Sequence, residues 1–167
     1  MYHVSHYFPY FLGKRGVPMN RQLIMETGRL LAQEMPPEAG IRLTVGSDEH
    51  FLLDMASALH AYDMGPDERR ALLGCYWLLR QSMRTHQHVP DEEQLAGKTV
   101  LDGDLLMSMY YQFAARHGQM KLVIDLATTI KRIQIRRAEG NTTDMLLHQR
   151  ICRFLAKHYK QVAYEVI

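Results

Sequence analysis

A chain of 167 residues with 23% charged and 47% hydrophobic residues suits one folded domain and excludes global disorder. A formal net charge of +2 is too near zero to announce a polyanion, so no nucleic-acid partner is expected. No uncharged apolar stretch approaches membrane-spanning length and no basic leader precedes an apolar run, so the expectation is a cytoplasmic protein without stable membrane anchoring.

Residues 1–19 read as an irregular aromatic arm, punctuated by Pro9, Gly13, Gly16 and Pro18. Tyr2, Tyr7, Phe8, Tyr10 and Phe11 fit either a segment folded back on its own core or an arm docked on a partner. Residues 20–167 read as a single helical domain of about six helices. Asn20 can cap the first, which carries Leu23, Leu30 and Leu31 and stops before Pro36-Pro37. Ile41 to Val45 forms a short link of extended character. Ser47 can cap the second helix, with Asp48 and Glu49 in its first turn, where the helix dipole favours negative charge. Phe51, Leu52, Met55, Leu59 and Tyr62 follow the helical period.

Gly65-Pro66 breaks the chain, and Pro66 opens a third helix with a stripe of Leu72, Tyr76, Leu79 and Met83. It should end near His88, because Pro90 disfavours helical geometry at Val89. After a polar stretch, a fourth helix should start near Thr99 and stop at His117-Gly118, carrying Leu101, Leu105, Leu106, Met109, Tyr110 and Phe113. A fifth runs from about Gln119 to Glu139 with Leu122, Leu126, Ile130 and Ile133 on one side. Thr142 or Thr143 caps the sixth, which carries Leu147, Ile151, Leu155, Tyr159 and Val162. No strand pattern competes, and the expected class is an all-α helical bundle. Cys75 and Cys152 fall inside apolar helical patterns and read as buried thiols.

Little in this chain offers chemistry of its own. His86 and His88 invite a metal, but residues two apart in a helix point to nearly opposite sides. Asp102 and Asp104 diverge by about 200° for the same reason and cannot grip one ion together. Gly103 costs roughly 1 kcal/mol in mid-helix, which suggests a close helix crossing with Asp104 hydrogen-bonded nearby. Lys131, Arg132, Arg136 and Arg137 cluster near a helix C-terminus, where dipole complementation accounts for them and an acidic patch or a diphosphate stays open as a ligand. There is no nucleophile constellation and no glycine-rich phosphate loop.

Three runs nevertheless share one order: Thr85-His86-Gln87-His88-Val89, Val100-Leu101-Asp102-Gly103-Asp104-Leu105-Leu106, and Leu126-Ala127-Thr128-Thr129-Ile130-Lys131. Across about Ser47 to Arg137 the chain resembles the small, non-catalytic component of two-part hexaprenyl and heptaprenyl diphosphate synthases. Their catalytic relatives carry His-Asp-Asp-Val, and one helix later Val-Leu-Ala-Gly-Asp. Here Gln87 and His88 stand where magnesium-binding aspartates would, and Asp102 replaces the alanine. The resemblance implies a trimmed isoprenoid-synthase-like bundle with no cofactor in this chain. It also implies a larger catalytic subunit that holds Mg2+ on aspartate-rich motifs and makes a long all-trans polyprenyl diphosphate for a menaquinone side chain. Leu105, Met109, Tyr110, Phe113, Leu122 and Leu126 are the candidates for partner interface or chain-length control, divided between core and surface. An all-α adaptor with an unrelated partner and an independent enzyme using His86 and His88 with a metal remain the alternatives.

Overall fold

The computed structural model describes residues 19–141 and 144–162, so most of the aromatic arm and both candidate threonine caps lie outside the described residues. The architecture is an all-α bundle, with six α-helices among the described residues. They are α1 (Met19–Glu34), α2 (Glu49–His60), α3 (Pro66–Gln87), α4 (Glu93–Arg116), α5 (Met120–Ala138) and α6 (Asp144–His158). Short 3-10 turns at Pro37–Ala39 and Gly46–Asp48 join α1 to α2.

Nine consecutive uncharged residues, Ala71 to Leu79, make α3 apolar on every side, and all nine are buried. A helix apolar all round belongs at the centre, and α1, α2 and α4 pack around α3. The second layer follows from connectivity: α5 lies against α4 and α6, and α6 returns to α2. Close approach is built into the crossings. A Cβ on Gly28 of α1 would sit 3.2 Å from the Trp77 ring, and one on Gly74 would sit 2.6 Å from Phe113. Gly118 (φ 71°) and Gly140 (φ 80°) end α4 and α5 in the left-handed region that favours glycine. Beyond them, the Gln119 and Asn141 amides donate back to the Ala114 and Arg136 carbonyls at 2.7 and 2.9 Å.

Several boundaries differ from the expectation. Helix α4 begins at Glu93, well before Thr99, because Glu93, Gln94, Leu95 and Ala96 are strong helix formers and the Glu92 carbonyl already accepts the Ala96 amide. Helix α6 stops at His158, leaving Tyr159 and Val162 outside it. The backbone there pairs with the end of α2 instead: Asp63 N–H donates to the Lys160 carbonyl and Val162 N–H to the Ala61 carbonyl. Asn20 lies inside the first turn of α1 and pairs with Nδ1 of His60 at 3.0 Å. Ser47 sits within the 3-10 turn and Asp48 takes the N-cap position, without a side-chain capping bond. The Asp48 carboxylate turns inward.

Burial within this chain divides the six candidates by position. Met109, Tyr110, Phe113, Leu122 and Leu126 are core residues of this chain, and only Leu105 is half-buried. Met109, Tyr110 and Phe113 lie on the side of α4 that packs against α3, whereas Leu122 and Leu126 belong to α5. The outward side of α4 is a different set, with Leu101 69% exposed, Tyr111 46% and Val100 42%.

Candidate functional site

The chemistry-bearing side chains gather at the C-terminal end of α3. Arg80 and Arg84 lie four residues apart, one turn above the other on the side facing α2. Asp48, 3% exposed, meets both: its Oδ1 accepts from Arg80 Nη2 at 2.6 Å and Nε at 3.2 Å, and its Oδ2 from Arg84 Nη1 at 3.3 Å. The Arg80 guanidinium also lies 3.6 Å above the centre of the Phe51 ring. A planar cation between a carboxylate and an aromatic face is a rigid arrangement. It fixes the start of α2 against α3.

Around this cluster is a cleft of about 290 Å³, lined by Ser47, Asp48, Phe51, Arg84, Gln87 and Arg137 among others. A second cleft of about 460 Å³ opens on the other side of α3, towards Met107 of α4 and Gln134 and Ala138 of α5. Met83, Gln87 and Arg137 belong to both. Arg137 reaches from α5 to donate to the Met83 carbonyl, close to the end of α3, where unpaired carbonyls attract a cation.

His86, Gln87 and His88 separate here. His86 points at α4, its Nε2 lying 3.3 Å from the Val100 carbonyl oxygen and 3.2 Å from Asp104 Oδ1. A Cβ added to Gly103 would overlap that imidazole ring, while the Gly103 carbonyl accepts from the buried Ser82 hydroxyl at 2.8 Å. Gly103 is therefore the point where α4 crosses α3. Gln87 is exposed, and His88 turns its Nδ1 back to the Arg84 carbonyl at 3.0 Å. Asp104 is exposed beside this crossing, with His86 as its partner, and Asp102 pairs with Lys98 along α4. His86 and His88 do not converge on one point.

Hard divalent cations take oxygen ligands, and the one carboxylate in the clefts, Asp48, is already engaged by two guanidiniums. Among the described residues there is no group of three or more His, Cys, Asp or Glu side chains placed to hold a metal ion. The remaining perturbed groups are structural. Burial pushes the Cys75 thiol up to about 12 and raises the Tyr76 and Tyr110 phenols, while burial lowers His148, whose Nδ1 lies 3.1 Å from the Tyr76 hydroxyl.

The Asp48–Arg80–Arg84–Phe51 cluster was missed in the sequence because Asp48 reads as an ordinary first-turn carboxylate. The available signal was Arg80 itself, the first charge after nine uncharged residues and one turn from Arg84. No protein-family model, no curated protein and no solved structure matches this chain.

Proposed function

We propose that this chain is the regulatory, non-catalytic subunit of a heteromeric long-chain all-trans polyprenyl diphosphate synthase of the heptaprenyl type, serving a menaquinone side chain. The observation that carries the reading is the outward face of α4. From Leu105 to Ala115 the helix has no charged residue, although only one side of it is covered by the bundle. Leu101, Tyr111 and half-buried Leu105 stand on or beside that outward side, and exposed Asp104 is a charge between Leu101 and Tyr111. A helix that must face water ordinarily carries charge there. Exposed large apolar side chains such as Val100, Leu101 and Tyr111 on one helix support a surface that another chain covers.

Two features agree with a dependent subunit. The end of α3, where the synthases it resembles would place magnesium-binding carboxylates, carries His86, Gln87 and His88 beside Arg84 and Arg137. This surrounding suits a cation poorly. The Gly103 crossing meanwhile holds α3 and α4 in close contact through His86 and Ser82. Product length would be influenced through Leu101, Leu105 and Tyr111, which reach outward, with the buried Met109, Tyr110 and Phe113 supporting them from behind.

Reconstitution tests this. The aspartate-rich synthase from the same organism should extend farnesyl diphosphate to a long product only with this chain present. Leu101→Arg with Tyr111→Arg should abolish association in sedimentation without lowering the melting temperature. A partner that makes the same product at the same rate alone overturns the proposal.

A further inference from the structure

Charge is unevenly distributed along this near-neutral chain. Residues 119–162 contain nine Lys and Arg against three Asp and Glu, whereas the other 123 residues contain eleven against fifteen. The basic part is the α5–α6 hairpin, and its outer surface is apolar as well as basic. Ile124 is 74% exposed, and Ile135 and Met145 are both 49% exposed. Ile124, Lys131 and Ile135 fall within about 20° of one line along α5, by the 100° per residue of a helix. Lys121 and Arg132 lie together to one side of that line, and all three basic side chains are exposed. Alongside it, a groove of about 660 Å³ between α5 and α6 brings Ile124, Thr128 and Arg132 together with Leu146, Gln149 and Arg153. The one acid in the groove, Asp125, is bound by Arg150 through both oxygens at 2.7 and 2.8 Å.

We propose that this face docks reversibly on an anionic lipid bilayer, independently of any subunit partner. Lys and Arg supply attraction to the headgroups, and their long stems lie along the surface while isoleucine enters the headgroup–acyl boundary. Exposed isoleucines on a solvated cationic helix have no role in a purely electrostatic contact. Nucleic acid is the weaker fit, because α5 has no aromatic residue and Phe154 of α6 is buried, so these two helices offer no exposed Phe, Tyr or Trp ring for base stacking. No helix among the described residues is long and apolar enough to cross a membrane, so the contact lies on the surface.

Flotation of the whole chain with vesicles is the test. Vesicles of roughly one-third phosphatidylglycerol should carry the protein up at low salt, pure phosphatidylcholine vesicles should not, and about 0.5 M salt should release most of it. Lys131→Glu with Arg132→Glu should abolish binding, and Ile124→Asn with Ile135→Asn should weaken it on the order of tenfold. These positions are exposed, so melting temperatures should stay near wild type; should a variant melt early, the wild-type lipid and salt arms decide alone. The proposal is overturned by absent flotation, by equal binding to neutral vesicles, or by an isoleucine variant that folds and binds like wild type. Tighter capture of the wild-type chain by heparin, duplex DNA or an acidic protein than by anionic vesicles also overturns it.

Discussion

Three side chains show how local environment decides what each residue contributes. The Tyr110 hydroxyl is fully buried and makes no hydrogen bond among the described residues. Leaving a hydroxyl unpaired costs about 1–3 kcal/mol, so Tyr110→Phe should be neutral or stabilising in a thermal melt. Asp48 is the opposite case, because removing it leaves two guanidiniums without the carboxylate they share. Asp48→Ala should destabilise the fold by about 3 kcal/mol, measured by urea unfolding, with Asp48→Asn intermediate. His148 brings pH into the fold. Burial lowers its pKa, so the unfolded chain takes up the proton first as pH falls below about 6.5. Stability is therefore full at neutral pH and declines on acidification through the region between the unfolded and folded values. His60, also lowered by burial, adds in the same direction. The melting temperature of His148→Gln should fall less between pH 7 and pH 5 than that of wild type.

Helices were legible in the sequence where apolar spacing was strong, as in α3 with its Gly65-Pro66 start and in α5 with its terminal Gly140. What failed was set by contacts outside the element. Tyr159 and Val162 continue the spacing of α6, yet Tyr159 donates to Glu68 at 2.6 Å and the next residues pair with the end of α2. The candidate site was legible only in part. Gly103 announces a crossing by being a glycine in mid-helix, but His86 as the group filling its space lies on another helix and has no local signal. The same holds for Asp48, whose partners are 32 and 36 residues away. The α3–α4 crossing has a direct test. Gly103→Leu must displace His86 and strain the Ser82 contact, and should cost about 1–3 kcal/mol; an unchanged melting temperature would show that the imidazole simply swings into solvent. Gly74→Ala should be at least as costly, since Phe113 is held in the core and cannot turn outward.

Across the whole molecule, two surfaces differ in character: the outer side of α4 with its exposed Leu101 and Tyr111, and the basic, isoleucine-bearing side of α5 and α6. The pairing of residues 61–63 with 160–162 adds a consequence in time. Helices α1 to α4 make their mutual contacts within residues 19–116, so this part of the core can assemble on the ribosome before α5 has emerged. Helix α6 adds the remaining cover, and the backbone pairing that holds its far end to α2 spans about a hundred residues of chain. Long-range closure of this kind carries its entropy cost late in folding. Refolding should therefore show early burial of Trp77, seen by fluorescence. Amide protection at Asp63 and Val162 should come last, and native-state exchange should release those two amides before the amides of α3.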